Sequence, residues 1–197
     1  MIEYYVSSYR KYEENGIIFG GYGPRLFRMR DSIDQVQNVV RLLSAKPTSR
    51  QAVIQLFDAG DLVYDPTLLP KGHLDIPCTC TFQFLVRDDR LHMITCMRSN
   101  DVWFGLPHDV FCFTVLQELV ACSLGCEVGT YRHFVGSLHL YDKYKSHAQR
   151  LLQEGWQPTS QPMPAMACAD PWSAVAQFLA AEAAIRTGVA QKPIADM

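Results

Sequence analysis

The sequence predicts a single α+β domain over residues 1–197, built on one large mixed sheet that is packed by helices. Strand-like and helix-like segments are mixed without the regular alternation that would indicate a parallel α/β fold. The chain has 197 residues, of which 48% are hydrophobic, and this is enough for one sizeable core and too little for two ordinary domains.

Four segments have the apolar or alternating pattern of β-strands. The second and third are separated only by Asp88-Asp89, so they are expected to form a hairpin. The predicted strands are 52–57, 79–87, 91–98 and 129–141.

Four other segments have the apolar spacing of helices. The first starts at the capping-box pair Ser32 and Gln35 and ends before Pro47. The last starts with Asp170 at the N-cap and Pro171 at the first helical position. The remaining predicted helices are 110–124, which ends at Gly125, and 143–154; the C-terminal helix covers 170–188, and 157–169 is a loop.

The charge balance excludes one broad class of function. The net charge is −2 and the pI is about 6.3, so the chain has no global basic field of the kind that nucleic-acid-binding proteins use. The N-terminal segment lacks the apolar core of a signal peptide, and no run approaches the roughly 20 apolar residues that span a bilayer. We therefore expect a cytoplasmic protein that binds neither nucleic acid nor membrane.

The seven cysteines also fit a cytoplasmic protein. Small secreted proteins usually have an even number of cysteines paired in disulfides, whereas here the number is odd and the chain is not small. Cys78-x-Cys80 and Cys122-x-x-x-Cys126 have no second pair at ligand spacing. No metal site is therefore expected.

Cys78 and Arg98 are the first candidates for chemistry. Cys78 follows a proline at the start of a predicted strand, where a side chain can face a cleft, and Arg98 ends the returning strand of the same hairpin. A guanidinium beside a thiol favours the nucleophilic thiolate. Spacing alone leaves open the alternative that Cys78 is a structural cysteine and Arg98 a surface arginine.

Six short motifs follow one another in a fixed order along the chain. Three of them are P-C-x-x-x-x-Q-F from Pro77, R-S-x-D-x-x-x-G-x-P from Arg98, and H-x-x-G-x-x-H-x-Y from His133. The other three are Tyr22-Gly23, Ile33-Asp34-Gln35 and Pro47-Thr48-Ser49-Arg50. Over about residues 20–145 this order resembles the thymidylate synthase family, which includes the dCMP and CMP hydroxymethylases. The resemblance implies that family's fold, with a sheet face used for dimerisation.

The resemblance implies a chemical role for Cys78. Its thiolate would attack C6 of a pyrimidine nucleoside monophosphate, which makes C5 a carbon nucleophile toward a one-carbon unit from 5,10-methylenetetrahydrofolate. Tyr22 would help to remove the C5 proton, and Asp101 and Gly105 would lie where base and folate meet. The implied protein is a methyltransferase or hydroxymethylase of nucleotide biosynthesis.

The resemblance also implies how the nucleotide is held. Arg98 and Ser99 would bind the 5′-phosphate, and Arg50 would reach across a homodimer to the partner's phosphate, because a guanidinium fork binds two oxygens at once. His139 and Tyr141 would hydrogen-bond the sugar hydroxyl. The histidines that match no family ligand are expected to be structural or solvated: His73, His92, His108, His133 and His147.

Asp109 favours a cytidine-type substrate. Family members that act on dUMP have asparagine here, whose amide donates to O4 and accepts from N3–H of uracil. An ionised carboxylate has no donor and would face the O4 lone pairs, whereas it accepts well from the N4 amino group of cytosine. The dCMP and CMP hydroxymethylases resemble this sequence in having aspartate at this position.

Other departures leave two alternatives open. Only 21 residues precede Tyr22, and neither the proton-relaying glutamate nor the phosphate-loop arginine of the family has a counterpart. Gln51 and Thr79 stand where a second arginine and a histidine are usual, and the tail that closes over folate is not recognisable in 191–197. One alternative is dUMP methylation, as in a thymidylate synthase. The other is a nucleotide-binding protein on the same scaffold that no longer transfers carbon.

Overall fold

Strands and helices follow one another irregularly in this computed structural model, which describes residues 7–14, 16–63, 75–155, 163–166 and 170–189. The strands are β1 (Glu13–Glu14), β2 (Ile17–Ile18), β3 (Val53–Gln55), β4 (Thr79–Arg87), β5 (Arg90–Met97), β6 (Asn100–Asp101), β7 (Glu127–Val135) and β8 (Leu138–His139). The helices are α1 (Tyr22–Phe27), α2 (Gln35–Ala45), α3 (Gly105–Leu124), α4 (Lys145–Glu154) and α5 (Pro171–Arg186). Short 3₁₀ turns lie at Ser7–Tyr12, Ala59–Leu62 and Asp142–Tyr144.

Four strands form the mixed sheet that the sequence predicts, in the order β3-β4-β5-β7. Strand β4 is antiparallel to both β3 and β5, whereas β7 runs parallel to β5. The hairpin between β4 and β5 turns at Asp88 and Asp89, which both have positive φ, as a two-residue hairpin turn requires. The bounds of β4 are those predicted, and β5 is displaced by one residue.

One face of this sheet is buried against α2 and α3. Every second residue of β5 faces this core, and Phe82 and Phe84 of β4 are fully buried there. Burial of each such aromatic or aliphatic side chain contributes about 1.5–3 kcal/mol. The helices supply the other side of the core: Val36, Val39 and Leu43 from α2, and Phe113, Leu116 and Val120 from α3.

Three predicted boundaries are wrong for local reasons. Helix α2 is capped by Asp34 rather than Ser32, since the Asp34 carboxylate accepts from the Gln37 N–H at 2.8 Å. The predicted strand 129–141 is divided in two, because β7 ends at Val135 and the separate strand β8 begins at Leu138 after Gly136 and Ser137. Helix α3 begins at residue 105 rather than 110.

The predicted loop 157–169 and the predicted C-terminal helix 170–188 can be compared with the structure only where their residues are described. Asp170 caps α5 by accepting from the Ser173 N–H at 3.1 Å, as expected, and α5 ends at Arg186 rather than at 188. In the predicted loop 157–169, residues 163–166 are neither helix nor strand, and the rest of that prediction lies outside the described residues. No helix in the described part of the chain is both long and apolar enough to cross a bilayer.

Arg25 joins α1 to the rest of the domain. Its guanidinium makes two hydrogen bonds to the Asp61 carboxylate, at 2.7 and 2.8 Å, and both side chains are buried. It also donates to the backbone carbonyls of Leu56 at 2.7 Å and Phe19 at 3.0 Å. Helix α1, which begins with Tyr22, is therefore fixed to the segment that follows β3.

Candidate active site

Cys78 lies directly before β4, opposite the end of β5. The Arg98 backbone N–H donates to the Cys78 carbonyl at 2.9 Å. The Arg98 side chain donates from Nε to the Pro77 carbonyl and from Nη2 to the Ile76 carbonyl, each at 2.9 Å. The hairpin therefore brings Arg98 to the segment that contains Cys78, and its guanidinium holds the backbone of that segment.

The expectation that Arg98 favours the Cys78 thiolate is only half right. Burial raises the pKa of the Cys78 thiol, and the Arg98 charge lowers it, but the carboxylates of Asp109 and Asp75 raise it again. The net direction is upward, because burial outweighs the guanidinium. The thiol therefore holds its proton near neutral pH.

Tyr22 reaches the residue after the cysteine. The Thr79 N–H donates to the Tyr22 hydroxyl at 3.2 Å, and Thr79 Oγ1 lies 2.9 Å from the same oxygen. Burial raises the pKa of Tyr22 to about 12, although the Thr79 hydroxyl lowers it, and the charges of Asp109 and Cys78 raise it further. The phenol is neutral near pH 7, so it is suited to passing a proton through hydrogen bonds.

Asp109, in the second turn of α3, lies close enough to Cys78 and Tyr22 for its charge to act on both. Its charge raises the pKa of both of those groups. Burial raises the pKa of Asp109 itself to about 6, while His108 and a hydrogen bond from Asn100 lower it. Near neutral pH the carboxyl can therefore serve either as a pure acceptor or, once protonated, as a donor.

A second group of predicted residues gathers at the short strands β6 and β8. Asp101 and His139 are paired in this parallel bridge. The His139 Nδ1 atom lies 3.4 Å from Ser99 Oγ, and the Tyr141 ring lies edge-on at 4.9 Å from the His139 ring. Since Ser99 follows Arg98 directly, this second group of hydrogen-bonding side chains adjoins the hairpin that carries Cys78.

Asp101 also determines where α3 begins. Its carboxylate accepts from the backbone N–H groups of Trp103 at 3.2 Å and Phe104 at 3.0 Å. Burial raises the pKa of Asp101, but hydrogen bonds from Phe104, Trp103 and Gly105 outweigh it and hold the pKa below its usual range. A Cβ atom at Gly105 would lie 2.4 Å from Asn100 Oδ1, so a larger residue does not fit there.

Pairwise contacts thus bring several of the motif residues close together, and the comparison with protein families agrees with this arrangement. A family model described as thymidylate synthase matches residues 2–187. The chain belongs to the thymidylate synthase family. This match extends beyond the 20–145 range that the motifs alone indicated, in both directions. Thymidylate synthase family members use methylenetetrahydrofolate to transfer a methyl or hydroxymethyl group to C5 of a pyrimidine nucleoside monophosphate.

One residue of the thymidylate synthase pattern, Arg50, lies away from Cys78. Arg50 is exposed and lines a cavity of about 530 Å³ with Lys46 and Arg87, and Cys78 is not among the residues that line it. The Arg50 carbonyl accepts from Gln83 Nε2 at 3.1 Å. Since Arg87 ends β4 and Cys78 directly precedes its first residue, Arg50 lies near the opposite end of this strand from the Cys78 of its own chain.

His133 was expected to be structural or solvated, and the structure gives it a more specific place. Its Nδ1 lies 2.6 Å from the Tyr131 hydroxyl, and its Nε2 lies 3.1 Å from Asn100 Nδ2. The Asn100 amide nitrogen also donates to Met97 Sδ at 3.1 Å. Alternation along the strand could have indicated that Tyr131 and His133 face inward together, but the contact with Asn100 depends on pairing between distant segments.

Aromatic side chains adjoin Asp101 at the start of α3. The Phe104 ring, half exposed, lies 5.1 Å from that of Tyr144, and the Trp103 ring stacks on Tyr144 at 6.2 Å. A partly open aromatic surface fits the planar rings of a folate. Among the described residues, no group of three or more His, Cys, Asp or Glu side chains is arranged to hold a metal ion.

Proposed function

We propose that this member of the thymidylate synthase family transfers a folate-derived one-carbon unit, as hydroxymethyl or methyl, to C5 of a cytidine-type nucleoside monophosphate. The observation that carries the proposal is the position of the half-buried Asp109 carboxyl, which lies near Cys78 and Tyr22 and whose pKa is raised by burial to about 6. When ionised, it accepts from the N4 amino group of cytosine. A proton shared between the carboxyl and N3 of the base completes a second hydrogen bond.

The proposed reaction begins at Cys78. Its thiol gives up a proton, its sulfur bonds to C6, and the electrons of the C5=C6 double bond make C5 nucleophilic. Arg98 assists because its charge opposes the effect of burial on the thiol. The C5 proton then leaves through the Tyr22 hydroxyl and its Thr79 partner, the C6–S bond breaks, and the double bond forms again.

Aromatic side chains beside Asp101 would hold the folate cofactor. Trp103, Phe104 and Tyr144 would contact its planar rings beside Asp101. Methylenetetrahydrofolate, when bound, would supply the one-carbon unit to C5 and keep its own nitrogen as the leaving group; water would then complete a hydroxymethyl product, or a hydride from the folate a methyl product.

The test is calorimetric titration of the wild type and Asp109→Asn with CMP, dCMP, UMP and dUMP. The wild type should bind the cytidine nucleotides more tightly. Asp109→Asn should reverse the order, because the amide restores a donor for O4 and an acceptor for N3–H. The expected swing is about 1–3 kcal/mol. Asp89→Asn, an exposed turn position, is the matched control and should leave the order unchanged. A wild type that prefers dUMP would overturn the cytidine assignment.

We further propose a homodimer in which Arg50 contacts the phosphate in the partner's site. The sheet face opposite the core leaves Val53 and Phe134 about half exposed, at 46% and 56%. Such an open apolar face favours burial against a second copy, in an interface above roughly 1,000 Å². The position of Arg50 away from the Cys78 of its own chain is consistent with a role across that interface.

Two observations favour the alternatives. A protonated Asp109 carboxyl can donate to O4 and accept from N3–H of uracil, so its pKa of about 6 favours dUMP methylation at lower pH. The raised pKa of Cys78 favours nucleotide binding without carbon transfer, because a thiol is a weak nucleophile. Mass spectrometry of the protein incubated with each nucleotide and folate, which detects a Cys78 adduct, separates transfer from binding alone.

A further inference from the structure

A positively charged cavity of about 530 Å³ lies at the end of β4 that is farther from Cys78. Three of the six residues that line it are cationic, namely Lys46, Arg50 and Arg87, and none of the six is acidic. The chain as a whole has a net charge of −2, so this excess of positive charge is local. Cations gathered around one cavity repel one another and attract an anion.

The cavity forms where the turn after α2 meets the end of β4. The Ser49 N–H closes this turn by donating to the Lys46 carbonyl at 3.0 Å. Strands β3 and β4 are antiparallel, and continuing their register outward places Ser49 opposite Arg87. Gln83 Nε2 donates to the Arg50 carbonyl at 3.1 Å, which ties the turn to β4. The backbone therefore brings the three cations to the same cavity.

None of the three cations has a carboxylate partner among the described residues. Arg90, on the other strand of the same hairpin, pairs with Glu127 at 3.1 Å, whereas the Arg87 guanidinium donates to a backbone carbonyl. Asp88 and Asp89 follow Arg87 in the turn, but neither lines the cavity. The positive charge of the cavity is therefore not neutralised by any described carboxylate.

The hydroxyl of Ser49 supplies a buried hydrogen-bond donor to the same cavity. Ser49 is 4% exposed and lines the cavity, and its Oγ accepts from the Gln51 N–H at 3.2 Å. A hydroxyl that accepts one bond still has its own hydrogen to donate, and no described residue accepts that hydrogen. Thr48 adds an exposed hydroxyl to the lining. A buried donor without a protein acceptor favours a ligand oxygen at this place.

A phosphate group fits these side chains better than a carboxylate does. A phosphate monoester carries a charge of about −1.5 to −2 near neutral pH and has three strong acceptor oxygens, whereas a carboxylate has one charge and two oxygens. The guanidinium forks of Arg50 and Arg87 can each bind two oxygens, and Lys46 acts as a point charge. The cavity volume is within the range of small-molecule sites, so it has room for the molecule that carries the phosphate.

We propose that this cavity is a phosphate-binding site, and that Lys46 and Arg87 bind the phosphate together with Arg50. The buried Ser49 hydroxyl donates to one of its oxygens. The phosphate belongs either to the nucleotide bound by a second copy of the chain or to free phosphate in solution. The site goes beyond the proposed function, which gives a phosphate contact to Arg50 but not to Lys46 or Arg87, and it does not depend on recognition of the base by Asp109.

NMR titration of ¹⁵N-labelled protein at low ionic strength tests this site residue by residue. The ligands are inorganic phosphate, CMP and cytidine, and the readout is the shift of the backbone amides of residues 48–51. The variants are Lys46→Gln and Arg87→Gln, which remove charge at exposed positions and should change stability little. Arg90→Gln is the matched control, because Arg90 is an exposed arginine of the same hairpin that does not line the cavity.

Inorganic phosphate and CMP should shift these amides in the wild type and in Arg90→Gln, whereas cytidine should not. Each cavity variant should weaken this binding by about threefold to tenfold. Shifts at lower concentrations of CMP than of inorganic phosphate identify the partner's nucleotide as the source, and the reverse order identifies free phosphate. Equal binding by the wild type and both cavity variants, or no shift with either ligand, would overturn the site.

Failure of the proposed function gives a different result from failure of this site. A wild type that prefers UMP to CMP would overturn the proposed base preference, but the phosphate is common to both nucleotides and would still shift the amides of residues 48–51. A monomer of 22.3 kDa that binds phosphate in this cavity would overturn the role of Arg50 across a dimer and support the site.

Discussion

The Tyr22 hydroxyl oxygen lies 2.9 Å from Thr79 Oγ1, one residue beyond Cys78 along the chain. This contact joins the first residue of α1 to the first residue of β4. The proposed proton-handling group is therefore held by the residue that directly follows the proposed nucleophile. A change that moves one of them should move the other.

Replacing Tyr22 by phenylalanine should slow the loss of the C5 hydrogen by about 10²–10⁴-fold and change nucleotide affinity little, because the hydroxyl acts on a proton. Thr79→Val keeps the phenol and removes its Oγ1 partner, so it should cost about tenfold. Release of tritium from C5-labelled nucleotide measures the rate, and calorimetry measures the affinity. Wild-type release by Tyr22→Phe would remove Tyr22 from the mechanism.

Cys78 should be alkylated slowly near neutral pH and faster as the pH rises past the ordinary cysteine value of 9.0, since burial raises its pKa and only the thiolate reacts. Arg98→Gln should move the midpoint further upward, because it removes the charge that lowers the pKa. Iodoacetamide labelling followed by peptide mass spectrometry gives the midpoint, and Cys78→Ser identifies labelling at Cys80 on the same peptide. A midpoint well below 9.0 would contradict the effect of burial.

Asp109→Asn should stabilise the protein above about pH 6. The folded-state pKa of Asp109 is raised from 3.8 to about 6, so the stability that its proton contributes is full below about 3.8 and is lost as the pH rises through about 6. Because part of the carboxyl is open to solvent, we expect a gain of about 1–2 kcal/mol near pH 8 and none below pH 4. Urea denaturation across this pH range measures the free energy of unfolding.

The control for that measurement is Asp89→Asn, which should change the free energy of unfolding by at most about 0.5 kcal/mol at any of these pH values. Equal stability of Asp109→Asn and the wild type near pH 8 would mean that the Asp109 carboxyl is not held in a desolvated position.

Two inactive variants should restore each other's activity if Arg50 acts across a dimer. Arg50→Ala and Cys78→Ser remove different parts of each site, and a mixed dimer would contain one complete site. After unfolding and refolding together in equal amounts, about a quarter of the sites should be complete. The activity of the mixture is compared with that of each variant refolded alone. No gain in the mixture, together with sedimentation as a 22.3 kDa monomer, would exclude the shared site.

The parts of the fold that depend on local pattern were predictable. The alternation of β4 and the Asp88-Asp89 turn predicted the hairpin correctly, and Gly125, which has φ +66, ends α3 as expected. The start of α3 was not predictable in this way. The Asp101 carboxylate accepts from the N–H groups of Trp103 and Phe104, which lie just before the first helical residue, and Pro107 is tolerated in a first turn.

In the candidate site, too, the features that depend on local motifs were predictable and those that depend on the folded chain were not. Motifs indicated Cys78 and Asp109, and the fold brings Asp109 close enough for its charge to act on the Cys78 thiol. The direction of the Cys78 pKa could not be foreseen, because it depends on how much solvent the folded chain removes from the thiol. Likewise, the contact between His133 and Asn100 joins residues 33 positions apart and has no local signal in the sequence.

The ion pair between Arg25 and Asp61 bears on attempts to engineer this protein. Removal of one partner leaves a buried charge and costs about 3–5 kcal/mol, whereas replacement of both by apolar residues is often tolerated. The two positions should therefore be varied together in any mutant library, or not at all. A library that randomised α1 around Tyr22 while holding Asp61 fixed would lose most of its members to unfolding before base preference could be screened.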